Sequence, residues 1–204
     1  MSKISIIGFG GHTESIINLL LISYNFKKIS IYDDSFSNDT KESINLIPLI
    51  CSIDKVTEEQ DVVLSIGDNT LRKKYFKYFE KQVISNSLFH LASFQEKDVN
   101  IGNSNQIFAN SYINSKVIIG KNNIINSGAI IEHGSEIGSH NHISVGVKIC
   151  GKVNIGDSCY IGAGAVIIDK ILICSNVIIG AGSVVISNIT IAGTYVGNPV
   201  RKIK

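Results

Sequence analysis

From residue 101 onward a branched aliphatic recurs at every sixth position: Ile101, Ile107, Ile113, Ile119, Ile125, Ile131, Ile137, Ile143, Ile149, Ile155, Ile161, Ile167, Ile173, Ile179, Val185 and Ile191. A helix repeats at 3.6 residues and a strand at 2, so neither alone explains a strict six. Six is three strand steps, so the pattern predicts a chain that turns a corner once per hexapeptide. Three such sides close a triangular coil of about eighteen residues, and stacked coils pair their backbones at about 4.8 Å. The position four residues after the aliphatic is mostly small or β-branched (Val117, Ala129, Ser135, Val147, Val153, Cys159, Ala165, Val177, Ser183), as an inward-pointing corner wants. Glycine follows the aliphatic at Gly102, Gly120, Gly138, Gly156, Gly162 and Gly180, and is expected there to supply unusual backbone angles. An isoleucine-rich antiparallel sandwich would give no reason for so long an in-phase series.

The first 85 residues follow another rhythm. Lys3–Ile7 is an apolar strand, Gly8-Phe9-Gly10-Gly11 a turn, and residues 13–24 have helical apolar spacing at Ile16, Ile17, Leu20 and Leu21. Residues 29–32 form a second strand ending at Asp33-Asp34, and residues 35–47 read as a polar loop. Residues 62–66 form a third strand, followed by Gly67-Asp68-Asn69 and a helix over about 70–81. Strand alternating with helix predicts a small parallel α/β sheet. The predicted organisation is an α/β domain over 1–85, a crossover over 86–100 and a β-helix over 101–204.

Composition narrows the classes. The net charge of +2 gives no field suited to nucleic acid. Mean hydropathy is +0.22, yet the longest apolar run, near residues 16–22, is broken by Asn18 and is too short to cross a membrane. No signal-peptide pattern opens the chain. Cys51, Cys150, Cys159 and Cys174 lack metal or C-x-x-C spacing, which suits buried free thiols in the cytoplasm. Arg72–Lys81 reads as the solvated face of a helix packed through Tyr75, Phe76 and Phe79, with a phosphate role for Arg72 as the alternative.

In parallel sheets ligands bind beyond the carboxyl ends of the strands. Three of those ends carry candidates. Gly8, Gly10, Gly11 and His12 lie at a helix N-terminus, where free N–H groups attract phosphate. Asp33 and Asp34 offer acceptors to a base or ribose, and Gly67 and Asn69 close the third strand. The dinucleotide fingerprint is incomplete, because Thr13 stands where its third glycine would be. A single nucleotide, one carrying a sugar, therefore fits better than NAD.

In the repeats the polar candidates are His133, His140 and His142, with Glu132 and Glu136 beside them. None occupies the inward aliphatic slot, so all three are expected at the surface. Histidine titrates near neutral pH, which suits His133 as a general base for an amine or hydroxyl attacking a thioester, with a backbone N–H such as that of Gly151 holding the oxyanion. The alternative is zinc for hydration chemistry, as in the gamma-class carbonic anhydrases. That use needs ligands on well-separated coils, whereas these three fall within one coil's length; no metal is expected.

At these residues the chain resembles the hexapeptide-repeat sugar acetyltransferases of the sialic-acid O-acetyltransferase-like group, including N-acetyltransferases of nucleotide-linked 4-amino-4,6-dideoxy sugars of the bacillosamine and N-acetylviosamine type. The carrying motifs are Ile6–His12, Tyr32-Asp33-Asp34, Ile66–Lys74, Ile124–Ser127, Ile130–His133, His142–Val147, Ile161–Val166 and Val196–Pro199. The resemblance implies an α/β N-terminal domain with a small, Rossmann-like parallel sheet, followed by a left-handed parallel β-helix of hexapeptide repeats. It implies a homotrimer with acetyl-CoA along the groove between neighbouring β-helices and the sugar's nucleotide on Gly8–His12 and Asp33-Asp34. By the same matching His133 is the general base, His142 a second active-site residue, Asn126 a sugar contact and the Gly151 N–H a partner of the thioester carbonyl. Gly151, Ala163, Gly180, Ala181, Gly197, Asn198 and Pro199 form the cofactor side. Some relatives carry an acidic residue after the histidine; here it is Gly134, which leaves Glu132 and Glu136 to orient His133. The expected function is acetylation of a 4-amino group for surface glycan synthesis. Its rivals are O-acetylation of a sialic acid, an acyl transferase fed by an acyl carrier protein, and a non-enzymatic scaffold, for which Thr190 and Thr194 are too few to form an ice-binding ladder.

Overall fold

The computed structural model describes residues 3–24, 28–35, 43–44, 47–50 and 52–204. It divides into two compact units, Met1–Ser85 and Asn86–Lys204. Cys51 lies outside the described residues.

The first unit is a five-stranded sheet. Its elements are β1 (Lys3–Ile7), α1 (Gly11–Ser23), β2 (Lys28–Tyr32), β3 (Ser43–Ile44), β4 (Ile47–Ile50), a 3-10 turn (Ile53–Lys55), β5 (Asp61–Leu64) and α2 (Asn69–Tyr78). The order is β3-β4-β2-β1-β5, parallel except for the β3–β4 hairpin. Strand β3 lies inside the stretch read as loop, and β4 begins at its last residue, Ile47. Strand β4 is short and contains Pro48, which has no N–H to give a ladder, so its pattern is weak. Ile4, Ile6, Ile7, Ile16, Ile17, Leu20 and Ile31 are sealed in the core. Registers Ile7↔Tyr32 and Ile7↔Leu64 bring three strand ends level, so Gly8, Asp33 and Ser65 share one edge.

The second unit is a parallel β-helix with three faces. The first runs Leu88–Phe89, Gln106–Ile107, Ile124–Ile125, His142–Ile143, Tyr160–Ile161, Val177–Ile179 and Gly193–Gly197, with Val200–Lys202 returning antiparallel. The second runs from Phe94–Gln95 to Val184–Val185, and the third from Asn100–Ile101 to Leu172–Ile173. Partners such as Ile125↔Ile143 are one eighteen-residue coil apart. Residues 86–100, expected as a crossover, already supply a strand to each face, because backbone pairing continues where the aliphatic series has ended. At the other end the register breaks. Ile189 bridges to Ile173 and is buried, whereas Ile191 is 63 % exposed.

The corners correct one expectation. From Asp98 to Gly182 every sixth residue has φ between 56° and 68°, three residues after the aliphatic, and Asp, Asn, Ser, Lys or His fills that place more often than glycine. The glycines directly after the aliphatic have ordinary backbone angles. They are small because coils meet there: a Cβ on Gly138 would stand 2.8 Å from the Gly156 carbonyl oxygen, and one on Gly162 2.6 Å from the Ala181 nitrogen. Inside the third-to-first corner an asparagine ladder climbs the coils. Asn105 Oδ1 accepts from the Asn123 N–H at 2.8 Å, Asn123 Oδ1 from Asn141 at 2.8 Å, and Asn141 Oδ1 from Cys159 at 2.6 Å.

Candidate functional site

In the α/β unit the level strand ends open onto a cleft of about 550 Å³. Gly8, Phe9, Gly10, Gly11, His12, Asp33, Asp34 and Gly67 line it, together with Ser65 and Tyr75. Most of the glycine loop's hydrogen bonds are spent on its own shape. The Gly8 N–H donates to Tyr32 O at 2.9 Å, Phe9 N–H to Asp33 Oδ2 at 2.6 Å, and Gly10 N–H to Thr13 Oγ1 at 2.8 Å. The Gly11 amide at the start of α1 has no partner among the described residues. At Gly10 and Gly11 an added Cβ would meet nothing within 4 Å, so a ligand can approach the backbone there.

Thr13 explains the missing third glycine. It is fully buried; its hydroxyl accepts from Gly10, donates to Gly8 O at 3.0 Å and accepts from Ser65 Oγ at 2.9 Å. It ties the loop to the end of β5, where a glycine would only permit close packing. Asp33 and Asp34 are structural as well as cleft-lining. Asp33 Oδ1 accepts from the Ser35 N–H and hydroxyl, and Asp34 Oδ1 accepts from Ile53 N at 2.7 Å. Burial raises the Tyr75 phenol above its ordinary pKa, and the nearby charges of Asp34 and Asp33 add to the shift.

Two expectations for this unit change. Asn69 is not among the cleft-lining residues; its Oδ1 accepts from Arg72 Nη2 at 2.7 Å. Arg72 is fully buried rather than solvated and donates through Nη1 to Ile66 O and Gly67 O at 3.1 and 3.2 Å. Desolvation lowers its pKa to about 10, opposed by Asp68. Its phosphate role is therefore withdrawn: the guanidinium shapes the turn that follows β5.

In the β-helix the three histidines separate. His133 is exposed at the corner between the second and third faces; His140, at φ 62°, lies at the next corner; His142 stands on the first face. Contrary to expectation His140 and His142 are buried, at 8 % and 9 % exposure. His140 Nδ1 lies 2.8 Å from Asn122 Nδ2. His142 Nε2 lies 3.4 Å from Asn126 Nδ2, and its ring packs edge-on against Tyr160. Among the described residues no His, Cys, Asp and Glu group is arranged to hold a metal ion.

The His133 ring leans over Gly151 in the next coil. A Cβ at Gly151 would stand 2.9 Å from His133 Cε1, 3.0 Å from Nε2 and 3.2 Å from Asp169 Oδ1. The Gly151 N–H, expected to face a thioester carbonyl, donates to Asp169 Oδ1 at 3.0 Å. Neither expected orienting acid bonds to His133: Glu132 accepts from Asn114 Nδ2 at 2.5 Å and Glu136 from Asn154 Nδ2 at 3.3 Å. Cys150 precedes Gly151, so a thiol does sit in this corner. Its pKa is raised by burial, then by Asp169 and Glu132, which disfavours a thiolate nucleophile. The eighteen-residue step makes Asp169 and Cys150 neighbours of His133, and reading that column down the sequence finds both.

At the corner between the first and second faces Ala163 and Ala181 are exposed, and Gly182 N–H donates to Ala163 O at 2.8 Å. Gly180 packs under Val196, since a Cβ there would meet Val196 Cγ1 at 2.7 Å. Gly197, Asn198 and Pro199 form the exposed tip of the terminal hairpin, with Asn198–Pro199 cis and the Gly197 N–H on Ser183 Oγ at 3.1 Å.

Residues 3–79 match the PglD N-terminal domain, and residues 152–187 match the six repeats of the bacterial transferase hexapeptide family. One match falls in the first unit and the other within the β-helix. The resemblance and the fold class read from the sequence are borne out. The same fold is found in the acetyltransferase domain of PglB from Neisseria gonorrhoeae FA1090, with TM-score 0.91 and 23 % identity over the whole of both chains. That domain in complex with acetyl coenzyme A gives 0.88 and 24 % over 98 % of each chain. PerB from Caulobacter crescentus, in complex with CoA and GDP-perosamine, gives 0.88 and 23 % over all of this chain and 98 % of that one. No curated protein sequence matches the chain.

Proposed function

We propose that the protein is an acetyl-CoA-dependent N-acetyltransferase acting on the 4-amino group of a nucleotide-linked 4-amino-4,6-dideoxy sugar, in the cytoplasm, for surface glycan synthesis. One observation carries the reading. A cleft built on a glycine loop and a β-helix corner bearing an exposed histidine occur in one chain, whose fold matches over its length both an acetyl-CoA complex and a complex of CoA with a nucleotide-linked sugar. The first unit would take the nucleotide at Gly8–His12, Asp33-Asp34 and Gly67, and the β-helix would carry the acyl transfer.

In the reaction the neutral amine attacks the acetyl thioester carbon. His133 takes the amine proton as the tetrahedral intermediate forms or collapses, the Gly151 N–H meets the oxyanion, and CoA leaves as its thiol. Holding both substrates in one groove supplies much of the rate. His133 lies at one corner of the prism, whereas His142 and Asn126 lie along another side. A site drawing on all three therefore takes them from two chains, as a homotrimer with acetyl-CoA between β-helices would. Ala163, Gly180, Ala181 and the Gly197–Pro199 tip would then flank the cofactor.

The test is CoA release from acetyl-CoA with UDP-, dTDP- and GDP-linked 4-amino-4,6-dideoxy sugars. Turnover with one member identifies nucleotide and sugar together. Turnover only with hydroxyl acceptors such as a sialic acid would make the protein an O-acetyltransferase, and failure to bind acetyl-CoA would end the reading.

A further inference from the structure

The contact between Asp169 and the Gly151 amide resembles a device used elsewhere in the β-helix. At the corner between the third and first faces, side-chain oxygens one coil along cap backbone amides in series. Lys121 N–H donates to Ser139 Oγ at 3.1 Å, Ser139 N–H to Asp157 Oδ1 at 2.6 Å, and Asp157 N–H to Ser175 Oγ at 2.9 Å. At the His133 corner the amide so capped is Gly151, directly under the imidazole, and the cap is an exposed carboxylate. A carboxylate is the strongest acceptor a side chain can set against a neutral carbonyl for one N–H.

We infer that Asp169 acts on acyl-donor binding through Gly151: its carboxylate holds the Gly151 amide until the carbonyl of acetyl-CoA displaces it. The inference rests on the acetyl-CoA reading of this corner. Displacement breaks one N–H···O bond and forms another on the same amide. CoA has no acyl carbonyl and so leaves the Asp169–Gly151 bond in place. Asp169 thus lowers affinity for substrate but not for product, and it returns to the amide once the acetyl group is gone. His133 and the Asp169 carboxylate both lie against Gly151, and the charges of Asp169 and Glu132 both act on the neighbouring Cys150 thiol.

The test compares acetyl-CoA and CoA binding by calorimetry for the wild-type chain, Asp169→Ala and Asp169→Asn. In Asp169→Ala the preference for acetyl-CoA over CoA should rise about tenfold, the scale of losing a hydrogen bond to a charged competitor. Asp169→Asn keeps the shape and a neutral acceptor, so its rise should be smaller, and it remains informative if the alanine variant folds poorly. Equal weakening of both ligands, or an unmoved ratio in both variants, would overturn the inference and leave Asp169 a corner stitch. If the wild-type chain binds neither ligand, the acetyl-CoA reading itself fails, a result distinct from an unmoved ratio.

Discussion

Both units must satisfy backbone amides where the chain turns, and they do so in opposite ways. The β-helix answers with one spacing: a side chain eighteen residues away supplies the acceptor, from the preceding coil in the asparagine ladder and from the following coil in the Ser139–Asp157–Ser175 series. The α/β unit draws its partners from irregular distances, with Asp33 accepting from Phe9, Thr13 accepting from Gly10, and Arg72 donating to the carbonyls of Ile66 and Gly67. A periodic scaffold can give up its rule at one corner without losing its shape. A glycine loop held by single contacts cannot, so side chains that shape the loop also govern what it binds.

The largest expected effect tests the first half of that contrast. His133 is exposed and makes no side-chain hydrogen bond among the described residues, so His133→Ala should leave thermal unfolding unchanged. On the proposed reading it should lower turnover by roughly 10²–10⁴-fold, the range for loss of a general base. Near-normal turnover by the folded variant would remove His133 from the mechanism.

Next in size is the interior of the same unit. Asn123→Val keeps a shape that Val177 tolerates higher in the column, but it strips the Asn141 N–H of its acceptor and leaves Asn105 Oδ1 and Gly138 O each with one donor fewer. Unsatisfied buried groups of this kind cost about 1–3 kcal/mol each, so a loss of about 3 kcal/mol is expected in urea unfolding. A neutral result would mean that aliphatic packing alone holds the corner. Thr13→Val probes the other unit and should cost about 2 kcal/mol, because the Gly10 N–H and the Ser65 hydroxyl lose their shared partner. Unlike the asparagine change, it should also weaken nucleotide-sugar binding in calorimetry while leaving acetyl-CoA binding unaltered. Equal effects on both ligands would count against the loop as the nucleotide's seat.

How far each unit was legible follows from the same contrast. The six-residue period carried the β-helix, because one constraint is repeated and every coil must obey it. The inward Asn105, Asn123 and Asn141 break the apolar pattern at eighteen-residue steps; they show only when whole coils are aligned, as do Asp169 and Cys150 beside His133. In the α/β unit the strand–turn–helix order was plain, but β4 hid behind Pro48, and the roles of Thr13 and Arg72 depend on contacts that no spacing encodes. The grouping of His133, His140 and His142 misled for the opposite reason: neighbours in a β-helix sequence face different sides of the prism.

The smallest effect belongs to the top of the asparagine ladder, where Cys159 replaces a fourth asparagine. Its thiol is buried and directed at Cys174 O at 3.2 Å. Burial raises its pKa from 9.0 to about 11, partly offset by the backbone N–H groups of Val177 and Asn176. The folded chain therefore keeps this proton at pH values where the unfolded chain has lost it. The contribution to stability is complete below pH 9 and disappears as pH rises through 11. At pH 10 the loss should be about 1.4 kcal/mol, the equivalent of one pKa unit. Cys159→Val should remove that part of the alkaline decline, so the wild-type and variant urea midpoints should converge or cross between pH 9 and about pH 11, the two pKa values. Parallel declines would show that the thiol reaches water, and that the ladder's top is open where its lower rungs are sealed.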